Sequence, residues 1–234
     1  MKNLFSTKFG KKNALKIISN KYKFIYIENP LAASQTVLDL FIYNPPLDFD
    51  SYLIKNDLKE LLNHNQKYEK YLKFCITRNP WSRVVSCYNK KILNANIIVK
   101  IGIICQYKGL YPLMSFENFV NWLCSKEGQD KFADPHWISQ YRILFDEKER
   151  PRYNYNLKFE ELNAEFIKFF QKLNIPQVKL PEKKKSKDQL FKPLYDSWMD
   201  YYRELDDTLL EKIELRYKKD AELLGYQKLR KALK

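Results

Sequence analysis

Short apolar runs and helical spacings alternate along the chain, and the first clear run spans Phe24 to Ile27. This β-rich run ends at Glu28-Asn29-Pro30 and predicts a buried strand. Small and polar residues follow at positions 31–36, and Val37 to Phe41 then predict a helix. Strand, tight loop and helix in this order form the first predicted unit.

A second unit of the same kind begins at Leu72. The run from Leu72 to Thr77 predicts a strand that leads into Arg78-Asn79-Pro80, and proline is favoured at the first position of a helix. Apolar residues then recur at the spacing i, i+3, i+4 and i+7, which predicts one buried helical face: Trp81, Val84, Val85 and Tyr88. Two strand–loop–helix units predict a parallel sheet with crossover helices.

The second half of the chain carries further elements of both kinds. Ser115 is expected to cap a helix, and Tyr155 to Phe159 predict another strand. Asn163 is expected to cap a helix whose apolar face ends before Pro176. Apolar residues between Asp206 and Leu224 share one helical face and predict a helix near the C-terminus.

The composition indicates a folded chain with a single domain. Of the 234 residues, 45% are hydrophobic and 15% are aromatic, which excludes disorder for most of the length. No internal repeat and no Pro/Gly/Ser-rich linker divides the sequence, so we expect one domain over residues 1–234 whose tail, residues 227–234, is frayed.

Neither a membrane span nor an export signal is visible in the sequence. No apolar run approaches the roughly 18 residues of a span, and residues 1–13 lack the apolar segment of a secretory signal. We therefore expect a cytoplasmic protein, either free or peripheral to the inner membrane. The four cysteines lie far apart without a CxxC pair, and the sequence holds two histidines, so we expect reduced thiols and no metal site.

The chain is strongly basic, since Lys plus Arg number 42 and Asp plus Glu number 28, which gives a formal net charge of +14. A surface of this charge attracts anions, and the candidates are nucleotides, nucleic acid, acidic polysaccharide and anionic lipid headgroups. The charge alone does not choose among them.

The loops after the two predicted strands are candidate anion sites, because free backbone N–H groups and the positive end of a helix dipole meet there. In the first loop the side chains of Ser34 to Thr36 add donors, although a helix cap alone also accounts for them. The sequence has no GK[ST], which disfavours a P-loop NTPase. In the second loop the guanidinium of Arg78 and the hydroxyl of Ser86, two turns into the helix, are suited to hold a second phosphate.

The segment Arg78 to Tyr88 has the form R-[DN]-P-x-x-R-x-x-S-x-Y and resembles the 3′-phosphate-binding motif of sulfotransferases that use 3′-phosphoadenosine-5′-phosphosulfate (PAPS). The loop Asn29 to Thr36 occupies the place of their 5′-phosphosulfate loop. Three later segments resemble the D-x-H-W-x-x-Q-x-R, F-E-x-L and Y-x-x-D-x-x-x-x-G-Y stretches of carbohydrate sulfotransferases of the chondroitin and dermatan type: Asp134 to Arg142, Phe159 to Leu162 and Tyr217 to Tyr226. The resemblance covers residues 23–226, and the chain is similar to a bacterial member of this family.

The resemblance implies an α/β, P-loop-like sulfotransferase fold with a short parallel sheet flanked by helices. It also implies in-line transfer of a sulfuryl group from PAPS to a hydroxyl of a sugar or polysaccharide, with adenosine 3′,5′-bisphosphate as the product and no metal. The acceptor would be a glycan, either anionic or lipid-linked. The residues implied in binding the donor are Ala32, Ala33, Ser34, Gln35, Thr36, Arg78 and Ser86.

One residue departs from the pattern of the resembled family. Its members carry lysine directly after the proline of the first loop, where the ammonium neutralises the leaving group, and this chain carries Leu31. The departure affects catalysis more than donor binding, which also uses backbone amides. Three explanations stay open: another cation substitutes, with the basic loop Lys183 to Lys187 as a candidate; the chain is a weak enzyme; or the residue was altered.

Two residues are candidates for the general base that takes the proton of the acceptor hydroxyl. His136 fits because an imidazole titrates near neutral pH, and a structural, hydrogen-bonded histidine is the alternative. Glu28, at the mouth of the first loop, is the second candidate because the resemblance extends to sugar sulfotransferases that use a carboxylate. A plain surface charge is the alternative for Glu28.

Two other functions stay open. A subunit that binds PAPS or its product with little or no turnover would be consistent with Leu31. A basic nucleic-acid-binding module would be consistent with the net charge. However, the basic residues are scattered and no RRM, KH or helix-turn-helix pattern occurs, so we expect no nucleic-acid partner.

Overall fold

The structure is a computed structural model, and it describes residues 15–45, 49–54, 61–62, 65–93, 104, 106–176, 180 and 192–234. In these ranges no helix is long and apolar enough to cross a membrane. The cysteines described there, Cys75, Cys87 and Cys124, are free thiols.

A five-stranded sheet with the strand order β3-β1-β2-β4-β5 forms the centre of the fold. Strands β2, β4 and β5 are parallel, and β1 pairs antiparallel with both β2 and β3. The predicted α/β class with a short parallel sheet is therefore confirmed, but β1 and β3, which the sequence pattern did not predict, make the sheet mixed. The strands are β1 Lys16–Ser19, β2 Phe24–Ile27, β3 Tyr52–Ile54, β4 Leu72–Thr77 and β5 Tyr155–Lys158.

Helices flank the sheet, and most of them are short. π-helical turns extend α1 and α2 over Asp39–Tyr43 and Tyr88–Leu93, and 3₁₀ turns occupy Gln66–Lys70 and Phe159–Glu161. The α-helices are α1 Ser34–Leu38, α2 Pro80–Cys87, α3 Phe116–Leu123, α4 Gln140–Leu144, α5 Leu162–Lys172, α6 Trp198–Arg203, α7 Asp207–Arg216, α8 Lys218–Leu224 and α9 Leu229–Ala232.

The central strand β2 is buried on both of its faces, because side chains alternate between the two faces of a strand. Phe24 and Tyr26 pack in one cluster with residues of α1 and α5. Ile25 and Ile27 pack in another cluster with Leu144 of α4 and residues of α8. Burial on both faces explains why the strand is a continuous apolar run in the sequence.

A third apolar cluster lies beside the sheet and joins α2, α3, α6 and α7. The four residues that predicted one buried helical face, Trp81, Val84, Val85 and Tyr88, are all buried in it. The Trp81 indole N–H donates to the Gln227 carbonyl at 2.9 Å, and the Tyr202 hydroxyl donates to the Trp81 carbonyl at 3.0 Å. These bonds attach α6 and the C-terminal segment to α2.

Two of the predicted helix starts are confirmed and one is wrong. Helix α2 begins at Pro80, and the side chain of Asn79 accepts the first N–H groups. Ser115 caps α3 through the N–H of Asn118, at 3.1 Å. Asn163 is not a cap, because the 3₁₀ turn after β5 leads directly into α5, which begins one residue earlier at Leu162.

The C-terminal region differs from the sequence-based expectation at one place. The predicted helix from Asp206 to Leu224 is divided at Tyr217, whose hydroxyl donates to the Trp137 carbonyl at 2.7 Å. The tail contains α9, and Leu229 of this helix is fully buried in the third cluster. The N–H of Arg230 also donates to the Glu214 carboxylate at 3.0 Å.

Asp220 of α8 joins the C-terminal helices to α4. Its carboxylate is fully buried and accepts the N–H groups of Gln140 and Tyr141, both at 2.8 Å. It therefore satisfies the free N–H groups at the start of α4 from a different helix. Burial raises the pKa of Asp220 to about 6, although the two N–H donors act in the opposite direction.

Replacing Asp220 by Asn is expected to change how stability depends on pH. The folded chain keeps the Asp220 proton up to about pH 6, whereas the unfolded chain releases it near the ordinary pKa of 3.8. Because the folded state binds more protons in this interval, raising the pH from about 4 to about 6 should lower the free energy of unfolding of the wild type, relative to Asp220→Asn, by roughly 2–3 kcal/mol.

Urea denaturation across this pH range measures the difference. Glu222→Gln, on the exposed side of the same helix, is the matched control and should follow the wild type. Parallel curves for the wild type and Asp220→Asn would contradict the assignment.

Candidate functional site

The loop between β2 and α1 contains two residues with left-handed backbone. Leu31 has a φ of 67° and Ala33 a φ of 58°, and neither is glycine. This conformation costs an L-residue about 1–2 kcal/mol, and such strain is concentrated at functional sites. Left-handed residues within a turn also direct neighbouring N–H groups to one side, as in the backbone nests that bind anions.

The donors that this loop offers are more limited than the sequence implied. The Ala32 N–H donates to the Asn29 carbonyl at 3.1 Å and thereby closes a turn, and the Gln35 side chain donates to Asp39 at 3.1 Å. In the part of the chain that is described, no acceptor pairs with the N–H groups of residues 33–36. These four N–H groups are the backbone donors that remain, with the half-buried side chain of Thr36 beside them. The Ser34 hydroxyl already donates to the Asn29 carbonyl at 3.2 Å.

Arg78, at the end of β4, reaches back to the first loop. Its Nη1 donates to the Leu31 carbonyl at 3.1 Å and its Nε donates to Ser82 at 3.1 Å. The guanidinium lies over the ring of Phe159, with 4.3 Å between its central carbon and the ring centroid. Burial lowers the pKa of Arg78 to about 10, so the side chain stays cationic at neutral pH. The structure thus brings the two predicted anion loops together through one cation.

Gln140 holds the two loops in register. Its side-chain oxygen accepts from Asn29 Nδ2 at 2.7 Å and from the Arg78 N–H at 3.1 Å, and its amide nitrogen donates to the Arg78 carbonyl at 2.8 Å. Asn29, which is fully buried, also donates to the Ile76 carbonyl at 2.9 Å. The first residues of both loops therefore share one amide partner.

Arg83 connects the first loop to the segment around His136. It is almost fully buried, and its guanidinium donates to the carbonyls of Pro30 at 2.9 Å, Ile138 at 2.8 Å and Pro135 at 2.9 Å. Three carbonyl groups from two loops thus converge on one planar cation, a geometry that the fork of an arginine suits.

Ser86 lies in the last turn of α2 and is half-buried. It is roughly 9 Å along the helix axis from Pro80, at a rise of about 1.5 Å per residue. Among the hydrogen bonds of the described residues, none joins Ser86 to Arg78 or to the first loop. No direct hydrogen bond of the described residues therefore links Ser86 to the other predicted phosphate-binding residues, and its role at a phosphate stays a prediction.

His136 is held by Asp134, two residues before it. The imidazole Nδ1 and the backbone N–H of His136 both bond to the same carboxylate oxygen, the N–H at 2.9 Å. Burial acts to raise the pKa of Asp134, but the hydrogen bonds and charge of His136 outweigh it and hold that pKa below its ordinary value. Because Nδ1 is bonded to a carboxylate, the proton of the neutral ring lies on Nδ1 and Nε2 keeps a lone pair. The side chain is 31% exposed.

Glu28, the second candidate base, lies within electrostatic range of His136. Burial raises the pKa of the Glu28 carboxyl, while the Leu15 N–H, the Ser34 hydroxyl and the charge of His136 act to lower it. The Leu15 N–H donates to the carboxylate at 3.2 Å. The structure thus places both candidate bases in one neighbourhood at the end of β2.

Several polar residues of the site carried no assigned role in the sequence analysis. Glu160 accepts the Asn79 N–H at 2.7 Å and the Tyr226 hydroxyl at 3.0 Å, which attaches the second loop to the C-terminal segment. The five residues without an assigned role stand at polar positions of the motifs, some of them in apolar surroundings, and no other feature of the sequence indicated their importance. These residues are Asn29, Arg83, Gln140, Glu160 and Asp220.

Two further expectations concern residues and ligands away from this network. The basic loop Lys183 to Lys187 lies outside the described residues. Within the described ranges, no group of three or more His, Cys, Asp or Glu side chains is placed to hold a metal ion.

A family model described as "Sulfotransferase family" matches residues 12–227. No curated protein and no solved structure is significantly similar to the chain. The matched region contains both strand-end loops, the Asp134–His136 pair and Asp220.

Replacing Asp134 by Ala is expected to release the tautomer of His136. In the wild type the neutral ring should carry its proton on Nδ1, because that nitrogen is bonded to the carboxylate. Without the carboxylate, the proton should move to Nε2 in a large fraction of molecules. Long-range ¹H–¹⁵N correlation of the histidine rings at about pH 8 measures this, above the ordinary histidine pKa.

The chain has two histidines, so His64→Gln assigns the spectrum. An unchanged tautomer in Asp134→Ala would show that Asp134 does not control the ring.

Proposed function

Because the chain belongs to the sulfotransferase family, we propose that it transfers the sulfuryl group of PAPS to a hydroxyl of a sugar or polysaccharide. One observation supports the proposal beyond the family. Arg78 of the second strand-end loop donates from Nη1 to the Leu31 carbonyl of the first loop, at 3.1 Å. A donor with phosphate groups at both its 3′ and 5′ positions needs two neighbouring anion sites, and these loops are suited to provide them.

For the donor, we propose that the N–H groups of residues 33–36 and the side chains of Ser34 and Thr36 bind the 5′-phosphosulfate. Ser34 would do so by turning its hydroxyl away from the Asn29 carbonyl. Arg78 and Ser86 would bind the 3′-phosphate. Arg78 uses Nη1 and Nε within the protein, so an incoming phosphate would bind Nη2 or displace the Leu31 carbonyl. Bound PAPS would supply the activated sulfuryl group, and no metal is needed in this scheme.

For the reaction, His136 Nε2 would accept the proton of the acceptor hydroxyl. Asp134 would keep Nε2 available before the transfer and stabilise the imidazolium afterwards, as a carboxylate does for a catalytic histidine. Glu28 is the alternative base, because its raised pKa makes it a better proton acceptor than an ordinary carboxylate. Charge on the sulfuryl oxygens would be stabilised by the positioned N–H groups.

Leu31 favours a second candidate function, a PAPS-binding subunit with weak or no turnover. Its side chain is partly buried and packs against the third apolar cluster, and it has no charge to place near a leaving phosphate.

The guanidinium of Arg78, however, donates to the backbone carbonyl of Leu31. A cation is therefore present at this position of the loop, contributed by Arg78 instead of by the side chain of residue 31.

The proposed donor is tested by titration calorimetry with adenosine 3′,5′-bisphosphate and adenosine 5′-monophosphate. The wild type should bind the bisphosphate more tightly. Arg78→Ala should weaken its binding by about 2 kcal/mol, because a charge-assisted contact is lost, and Ser86→Ala by about 1 kcal/mol. His136→Ala should leave both affinities nearly unchanged, since His136 acts on the acceptor.

Arg78→Lys is the comparison variant that keeps the charge but not the planar fork of the guanidinium. Thermal unfolding shows whether each variant is folded. Equal affinity of the wild type for the two nucleotides would remove the basis for the assignment.

The role of Leu31 is tested by restoring a cation. Leu31→Lys should raise the rate of sulfate transfer, or the slow rate of PAPS hydrolysis, by roughly 10²–10³-fold. The reason is that a preorganised charge at a leaving group is worth about 3–4 kcal/mol. Its donor affinity should change less than about tenfold, because residues 33–36 bind through backbone N–H groups. The measurement at saturating donor is transfer of radiolabelled sulfate to the acceptor, or its release as free sulfate when PAPS is hydrolysed.

Leu31→Met, similar in size and uncharged, is the matched control and should behave like the wild type. A fully active wild type that gains nothing from lysine would show that another cation, from Arg78 or from Lys183 to Lys187, has this role.

A further inference from the structure

A cleft of about 420 Å³ lies between α4, α7 and the loop after α3, apart from the two strand-end loops. Its walls include four cationic side chains, one carboxylate and one exposed leucine: Lys131, Arg142, Lys212, Arg216, Asp130 and Leu215. We propose that this cleft binds a sulfate or carboxylate group of an acidic glycan. The choice of a glycan rests on the proposed function, whereas the choice of an anion rests on the cleft itself.

The single carboxylate of the cleft is already shared among several donors. Asp130 accepts the Ser139 N–H at 3.0 Å and Arg216 Nη2 at 3.2 Å, and Arg142 Nε lies 3.8 Å from its second oxygen. One negative charge therefore faces four positive ones, which leaves an excess of three. A concave surface with such an excess concentrates anions from solution.

Arg216 gives the cleft a buried cation. Its side chain is 9% exposed, and besides Asp130 its Nη2 reaches the Trp137 carbonyl at 3.5 Å. Its Nε has no hydrogen-bond partner among the described residues. A buried donor without an acceptor is costly, and an anion that enters the cleft and shifts the guanidinium would relieve that cost.

The rim of the cleft combines charge with exposed apolar surface. Lys131 and Lys212 are exposed, and Leu215 is 70% exposed. Phe132, which is 52% exposed, lies beside Lys131, with 5.5 Å between the ammonium nitrogen and the ring centroid. Ligand sites typically combine apolar walls with a few placed polar groups, and a charged sugar presents both C–H faces and oxyanions to such a site.

The cleft also contacts the chain segment that carries the candidate base. Arg216 and Tyr217 both donate to the carbonyl of Trp137, the residue after His136, and Asp130 accepts the N–H of Ser139. A glycan held in the cleft would therefore be bound next to the segment 137–139. This location suits a site for a charged group of the acceptor other than the hydroxyl that receives the sulfuryl group.

The test is fluorescence anisotropy with a labelled dextran sulfate oligosaccharide and the same oligosaccharide without sulfate. The double variant Lys131→Ser/Lys212→Ser should weaken binding of dextran sulfate about five- to tenfold, as expected for two exposed ionic contacts. The control Lys70→Ser/Lys148→Ser removes the same charge from exposed positions elsewhere and should change it less than about twofold. Carboxymethyl dextran of equal charge distinguishes carboxylate from sulfate.

Both double variants are repeated with Arg78→Ala, so that binding at the nucleotide site is separated from binding at the cleft. If the wild type binds the two nucleotides equally but the cleft double variant still binds dextran sulfate more weakly, the anion site is supported and the donor assignment is wrong. Equal losses in the two double variants, or equal affinity for sulfated and plain dextran, would overturn the cleft proposal. Tighter cleft-dependent binding of a single-stranded oligonucleotide of the same charge would overturn the choice of a glycan.

Discussion

The hydrogen bonds around the side chain and backbone of Gln140 fix the position of the candidate site. Asn29 and the Arg78 backbone bond to its side chain, and its own N–H is bound by Asp220. Because these groups are buried, breaking one of the bonds would leave a donor or acceptor without a partner. The free-energy cost of such a group exceeds the loss of a weak contact. One amide thus sets the separation of the two strand-end loops, and the sheet, α4 and α8 all depend on the same arrangement.

The buried arginines give the site its charge. Among the described hydrogen bonds, Arg83 donates to three carbonyls, and Arg78 donates to one carbonyl and one hydroxyl. Neither donates to a carboxylate there, so both cations are solvated by dipoles that satisfy their N–H groups without cancelling their charge. The nearby carboxylates of Glu160 and Asp220 act on Arg78 and Arg83 through space and not through a hydrogen bond, so the arginine N–H groups are held by dipoles while part of their charge is balanced at a distance.

The sequence predicted those parts of the fold that follow from local pattern. Phe24–Ile27 and Leu72–Thr77 were found because both faces of each strand are covered, which leaves a continuous apolar run. β3 was missed because three residues are too few for a period to show. The bond between Asn29 and Gln140 spans 111 positions, and the break at Tyr217 depends on a contact with Trp137, so neither is visible in local sequence. For the site, the motifs identified the loops and Arg78, but only the structure separates Ala32, whose N–H is used in a turn, from residues 33–36.

The left-handed backbone of Leu31 and Ala33 has a consequence for synthesis of the chain. Neither residue prefers this conformation, and the loop is held in it by partners that come later: Arg78, Arg83 and, through Asn29, Gln140. Chains are made from the N-terminus, so a ribosome-bound chain that has not yet reached Gln140 lacks part of what shapes a loop made more than a hundred residues earlier. The first loop would therefore take its final shape only after Gln140 has been made, and anion binding by that loop would report that the two strand ends and α4 have come together.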